Sequence, residues 1–382
     1  MPHNYKAAHV RFDPVPEVHK IHKDQAPRPQ QPKVPDFRFC VELGLVVRSR
    51  TYKHASSAGV EEEISARLAK SGIANHVTGT KAESQTEWTV AKDLAIPSHP
   101  RDHKFGVKLV SPFWRFSRHD TWMLHLRGVL QTLHHSFEVT ATHQCSTSIH
   151  VVPACGFWRL SQAKALAKSA VYFERCFDAL VPPYRRRSVW AKSNRHNAHM
   201  GRLSTTECFE SIVAQKSFAQ LGACMNWCAA DSATGAALGR TADFAHSGFR
   251  WNLASLMSEG DGFGSVEFRQ PGASTAASDA IAWVMMVVCF ARLSCTYGDS
   301  LKPRDPARLA SLGEWLLYEA DCSGVPHKAL LRNMFDVAQP VKGREAGLDA
   351  GAITFDEDQR LRFKEKERNI ALEKYRKLVK HL

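Results

Sequence analysis

The sequence predicts an α+β fold built on a largely antiparallel sheet. Short runs of apolar and β-branched residues come in clusters, and long amphipathic stretches separate them. No regular β-α-β alternation runs through the chain, which argues against a doubly wound parallel sheet. With 382 residues, 44% of them hydrophobic and 23% charged, the chain can bury a large core.

Residues 1–36 hold seven of the 18 prolines and few apolar clusters, so they read as a disordered Pro/His-rich arm. From Phe37 the pattern changes. "FRFCVELGLVV" reads as a strand, and "GVEEEISARLAKSG" follows as a helix. Val60, Ile64 and Leu68 share one face of that helix, acids crowd its first turn and Gly72 closes it. Strands follow around "EWTVAKDLAI" and "FGVKLVSPFW", then a helix around Trp122–Leu133, then the strands "FEVTAT" and "TSIHVVP". Ser161 caps the next helix, in which Leu166, Ala170, Phe173, Phe177 and Leu180 recur at helical spacing. A basic connector, "PPYRRRSVWAKSNRHNAHMGR", leads to "RWNLASL" and "GSVEFRQ", which read as paired strands around the glycine-rich loop "EGDGFG". Asp279 to Leu293 is a nearly all-apolar helix, and an Asp-Pro start introduces "DPARLASLGEWLLYEA". Residues 37–300 thus form the main domain. Residues 301–382 form a helical extension ending in a charged helix over 356–382.

The net charge of +13 favours anionic partners such as nucleotides and carboxylates. The basic residues lack the interleaved aromatics of a nucleic-acid module, so small anions are the better expectation. Ten cysteines without CxxC spacing read as buried thiols in a reducing compartment. The N-terminus has no apolar signal region, and the longest apolar run, Ala280–Ala291, is too short to span a bilayer. We expect a cytoplasmic protein.

Glu42, Asp93, His150 and Glu267 each sit inside an apolar strand context. In "GSVEFRQPG" the alternation turns Val266 and Phe268 to one face and Glu267 and Arg269 to the other. Several acids pointing into one sheet face are costly unless a cation or an arginine compensates. Carboxylates with one imidazole favour Mg²⁺ or Mn²⁺, and no close His/Cys pair suggests zinc. Neither a GxSxG nor a cysteine-protease signature occurs, and the glycines at 259–264 lack Walker or dinucleotide spacing.

From about Phe37 to Leu293 these pieces, in this order, resemble the amidoligase family, distant relatives of glutamine synthetase and the glutamate–cysteine ligases. The resemblance rests on "FCVELGL", "WTVAKDLAI", "FGVKLVSP", "CSTSIHVVP", "FERCFDALVPPYRRR", "VWAKSN", "RWNLASL" and "VEFRQPGAS". It implies a curved sheet packed with helices. It also implies ATP-dependent joining of a carboxylate to an amine through an acyl phosphate, with Mg²⁺ between carboxylates and phosphates. By this resemblance Glu42 and Glu267 ligate the metal, His150 lies on the nucleotide phosphates and Arg269 stabilises the transferring phosphoryl group. Asp93, Glu174, Asn252 and one of Arg185, Arg186 and Arg187, with Arg185 foremost, shape the substrate and nucleotide pockets. Four positions depart from the family pattern. Gly44 stands where the first strand reads Glu-x-Glu, Lys108 replaces a glutamate, Ser148 replaces the first residue of His-x-His, and Ala95 replaces the serine of Asp-x-Ser. A ligase with a reduced metal set fits this, with the Lys108 ammonium standing where a metal's charge would lie. So does a catalytically degenerate relative that binds a ligand or partner.

Overall fold

A computed structural model describes residues 34–79, 86–116, 121–258 and 264–338. These all fall in one unit that starts at Val34. The expected arm, apart from residues 34–36, the charged helix over 356–382 and all but Gly264 of the glycine-rich loop lie outside the described residues. In chain order the first elements are β1 (Phe37–Ser49), α1 (Ser57–Lys70), β2 (Asn75–Val77), β3 (Trp88–Lys92), β4 (Phe105–Val110) and β5 (Trp114–Arg115). Next come α2 (Thr121–Ser136), β6 (Phe137–Thr140), β7 (Thr147–Pro153), α3 (Leu160–Leu180), α4 (Pro183–Arg186), α5 (Thr205–Ala214) and α6 (Phe218–Met225). The last are β8 (Trp227–Cys228), α7 (Ala233–Ala237), β9 (Phe244–Ala245), β10 (Trp251–Asn252), α8 (Ala254–Ser258), β11 (Val266–Phe268), α9 (Ala277–Tyr297), α10 (Leu309–Cys322) and α11 (Lys328–Asp336).

The fold is mixed α+β, with β1 as the hub of its main sheet. The strand order is β10-β11-β7-β1-β4-β3-β2, with β5 and β6 pairing to the ends of β1. Every pair is antiparallel except β2 with β3. Along β1, Phe37, Phe39, Val41, Leu43, Leu45 and Val47 are fully buried on one face, while Glu42 and Gly44 face the other way. That period of two is what the alternation in "FRFCVELGLVV" requires. Phe39 meets Trp122 edge to face, with ring centroids 5.0 Å apart. Truncating Phe39 to alanine would cost about 3–5 kcal/mol through lost transfer energy and the cavity left behind.

Helices cover the apolar face. α9 packs on β1, β7, α2 and α3, and α1 packs on β3 and β4. Val60, Ile64 and Leu68 form the buried stripe of α1, and Gly72 follows the helix at φ +75°. That helix starts at Ser57, so its glutamates fall beyond the first turn, not within it as expected. Ser161 lies inside α3 rather than capping it: Arg159 is the cap, and its N–H donates to Gln162 Oε1 at 3.1 Å. Asp305 and Pro306 precede α10, which starts at Leu309. α9 outruns the apolar stretch seen in the sequence and is long and apolar enough to cross a bilayer. From Ala280 to Ala291, however, every residue is buried within the fold.

The basic connector is more buried than its charge suggests. Arg185, Lys192, Asn194 and Asn197 in it are almost completely buried. The Asn194 side chain donates to the carbonyls of Met225 and Trp251, and that of Asn197 to those of Cys224 and Met225. Those bonds make tolerable the burial of so many polar groups. The connector is therefore a wall of the structure, not a solvated loop.

Candidate functional site

Directly opposed residues in an antiparallel ladder share a face. The register sets Gly44 opposite Lys108, Glu42 opposite Ser148, and His150 opposite Glu267, which in turn faces Asn252. Five strands thereby present one polar row, backed by the apolar row of the same strands. Arg269 follows two residues after Glu267 and ends the row.

Glu42, His150 and Glu267 offer ligand atoms that all lie within 4.8 Å of one another. His150 Nε2 is 3.3 Å from Glu42 Oε1 and 3.8 Å from Glu267 Oε1. It is buried and faces both carboxylates as an ion-pair partner, with no well-aligned hydrogen bond to either. The other ring nitrogen, Nδ1, is 3.0 Å from Ser265 Oγ, which turns Nε2 toward the two carboxylates. Asn252 Nδ2 donates to Glu267 Oε2 at 2.9 Å and so orients that carboxylate. Arg269 Nε lies 3.4 Å from Glu267 Oε1, and Lys108 Nζ 3.4 Å from Glu42 Oε2. An orphaned buried imidazole nitrogen aimed between two carboxylates fits a small divalent cation such as Mg²⁺ or Mn²⁺.

The charges hold one another in place. Burial pushes the Glu42 carboxyl up, but His150, Lys108 and Arg269 outweigh it and bring its pKa down to about 2. For His150, burial favours the neutral ring, yet Glu267 and Glu42 together raise its pKa above the usual value. Cys40, opposite His150 on β1, is held as a thiol by burial and by the same two carboxylates.

Beside this row lies a cavity of about 570 Å³. Glu42, Gly44, Asp93, Lys108, Ser148 and Arg269 line its sheet side, and Trp190, Arg240, Phe244 and His246 line it from the connector and the β8–β9 hairpin. A larger groove of about 670 Å³ runs between α1 and α2, with Arg67, Lys70, His125 and His135 on its walls. Among the described residues no carboxylate lines that groove, so the smaller cavity is the better candidate for chemistry.

Of the residues expected at the site, Glu42, Asp93, Lys108 and Arg269 line the cavity, and His150, Asn252 and Glu267 stand in the polar row beside it. Asp93 Oδ1 accepts from the N–H of Ala95 at 2.7 Å, a bond made without the serine side chain expected at that position. Asp93 Oδ2 lies 3.1 Å from where a Cβ on Gly44 would stand. Glu174 and Arg185 do not line the cavity. Glu174 is buried against Arg250, 2.9 Å away, and accepts from the backbone of Asn194 and Arg195. Arg185 donates to the carbonyls of Arg269 and Gln270, which secures the chain just after β11. Sequence reasoning missed Ser265, whose role depends on register, and His246. Burial and the nearby Lys192, Arg269 and Arg240 drive the His246 pKa well below its ordinary value, so it is neutral. Its Nδ1 accepts from the N–H of Gly248 at 2.9 Å. His246 lies between segments without clear periodicity, so no sequence signal marked it.

Among curated proteins no sequence matches this chain. A family model described as "Putative amidoligase enzyme" matches residues 35–291, a span that carries every strand of the polar row and the helices that back it. The chain belongs to the amidoligase family.

Proposed function

We propose that the protein is an ATP-dependent ligase that joins a carboxylate to an amine. The observation that carries this reading is the buried, unbonded Nε2 of His150 between Glu42 and Glu267, next to a cavity that also holds Lys108 and Arg269. Glu42, His150 and Glu267 would hold a Mg²⁺ ion, which when bound neutralises phosphate charge. The substrate carboxylate attacks the terminal phosphorus of ATP, forming an acyl phosphate and releasing ADP. An amine then attacks the acyl carbon, the C–O bond to phosphate breaks, and an amide, inorganic phosphate and a proton result. Arg269 offers a fork of donors to the phosphoryl oxygens, and Lys108 adds a compact positive charge beside them. Asn252 fixes the Glu267 carboxylate, and the hairpin wall keeps water from the acyl phosphate. A sheet of the glutamine synthetase type is part of this reading, supported only as far as a largely antiparallel sheet packed with helices, and ten free cysteines suit a reducing cytoplasm.

The test is incubation with ATP, Mg²⁺ and pools of acids and amines. The reading expects ADP and phosphate to appear together with a new amide mass. No nucleotide binding and no ADP release across broad pools would overturn it. A second reading, a degenerate relative that only binds, draws on Gly44, Lys108 and Ser148, none of which supplies a carboxylate or imidazole. That reading expects ATP–Mg²⁺ to leave the melting curve unmoved, whereas a clear upward shift counts against a dead nucleotide site.

A further inference from the structure

Gly44 and Lys108 are separate departures from the family pattern in the sequence, but in the fold they are one feature. They face each other across the β1–β4 ladder, on the side of the sheet that carries Glu42 and Ser148. Lys108 stands opposite the one β1 position on this face that has no side chain. Its ammonium ends 3.4 Å from Glu42 Oε2, two residues along β1. Any side chain at position 44 would meet Asp93 Oδ2 and Ile96 Cδ1 at 3.1 Å and the Ser146 carbonyl at 3.3 Å. Glu42 therefore divides its two oxygens. Oε1 faces His150 at 3.3 Å, and Oε2 faces a cation the chain already owns.

We propose that this is a one-ion centre in which the Lys108 ammonium does the work of a second divalent cation and holds a phosphate oxygen of the incoming nucleotide. The inference rests on the proposed metal site. Among the described residues, Glu42, His150 and Glu267 are the one cluster of three close ligands. Asp93, the other carboxylate lining the cavity, is not part of it. A second Mg²⁺ near Glu42 Oε2 would need near-octahedral oxygen ligands at short range, and it would meet the ammonium there instead. The Lys108 side chain is 37% exposed, so it is not locked in the core and can serve an anion in the cavity. A lysine gives this charge without geometric demands, which suits a position outside the three-ligand cluster.

The test is titration with Mn²⁺ alone, followed by the imido analogue of ATP at saturating Mn²⁺, read by calorimetry and by the spin resonance of free Mn²⁺. The wild-type chain should bind one Mn²⁺. Lys108→Met should also bind one, about tenfold more tightly because a repelling charge is gone, and bind the analogue about tenfold more weakly. Lys108→Arg should restore analogue binding, which loss of packing alone would not explain. Lys108→Glu should admit a second ion. Two Mn²⁺ ions per wild-type chain would overturn the inference, as would a Lys108→Met variant with both affinities unchanged. A wild-type chain that binds no Mn²⁺ would overturn the metal site itself and this inference with it. Thermal unfolding of each variant checks that the fold survives.

Discussion

Two acid-and-arginine clusters flank the chain around Arg269, and they are built in opposite ways. In the first, Glu42, His150, Glu267, Lys108 and Arg269 touch at 3.3 to 3.8 Å, and one buried nitrogen has no hydrogen bond. In the second, Glu174 takes hydrogen bonds from Ser193, Asn194 and Arg195 and pairs with Arg250 at 2.9 Å. Asp178 takes Gln270 Nε2 at 2.6 Å and Arg250 Nη2 at 2.9 Å. Both pair acids with arginine, but the first cluster borders a cavity with loose contacts and the second is closed by short ones. A buried carboxylate whose oxygens are taken at short range has nothing left to offer a ligand; one with longer contacts beside a cavity does. By that criterion Glu174 and Arg250 hold the connector to α3, and Glu42, His150 and Glu267 are the cluster with room for a ligand.

The largest expected effect lies in the closed cluster. Glu174→Ala leaves Arg250 with half its compensation and strands two backbone donors, and it should cost about 3–5 kcal/mol of stability. Chemical denaturation measures this directly, and a loss below about 1 kcal/mol would break the distinction. Glu267→Gln should act the other way. It should lower Mn²⁺ affinity by more than about 100-fold, the upper range for losing a group that merely supports a ligand. Its unfolding midpoint should stay within a few degrees of wild type, because no tight ion pair is lost. If Glu267→Gln unfolds the protein as readily as Glu174→Ala, the two clusters are of one kind.

The sequence discloses the open cluster better than the closed one, for a physical reason. Period-two alternation puts Glu267 opposite in facing to Val266 and Phe268, and Glu42 opposite to Val41 and Leu43, so a polar face is visible locally. Which strands lie side by side is not local: His150 meets Ser265 across 115 positions of sequence. The family resemblance grouped His150 with Glu42 and Glu267 at one site, but it did not place Ser265 beside His150. Glu174 and Arg185 show the limit of pattern. An acid on a helix and an arginine in a basic run look the same whether they line a cavity or fill their bonds with backbone. The connector's burial is hidden for the same cause, since its asparagines and Lys192 are buried by polar bonding that hydropathy does not register.

Protonation separates the clusters by a smaller margin. Burial, opposed by Arg250, raises the Asp178 pKa from 3.8 to about 6. Because the folded value lies above the unfolded one, this carboxyl's contribution to stability is full below about pH 3.8 and is lost as pH rises through 6. Asp178→Asn should remove that dependence, flattening the unfolding midpoint between pH 4 and pH 6 by the equivalent of about 2 kcal/mol. An unchanged pH profile would place the titrating charge elsewhere.

The finest cut falls within the open cluster. Asn252 touches no cavity space of its own, yet its amide fixes Glu267 Oε2 at 2.9 Å, and its Oδ1 accepts from the N–H of Ala254 at the same distance. Asn252→Ala should leave all three candidate ligands present and weaken Mn²⁺ binding by only about tenfold, the lower range for losing a group that orients a ligand. Asn252→Asp should be worse than alanine if orientation is what matters, because it sets a second carboxylate against Glu267 with no donor between them. Calorimetric Mn²⁺ affinities of the two variants, beside that of Glu267→Gln, give the order: Glu267→Gln weakest, then Asn252→Asp, then Asn252→Ala. If Asn252→Asp instead binds Mn²⁺ more tightly than wild type, position 252 lies close enough to ligate the ion directly. The open cluster would then extend one strand further along the sheet than Glu42, His150 and Glu267 define it.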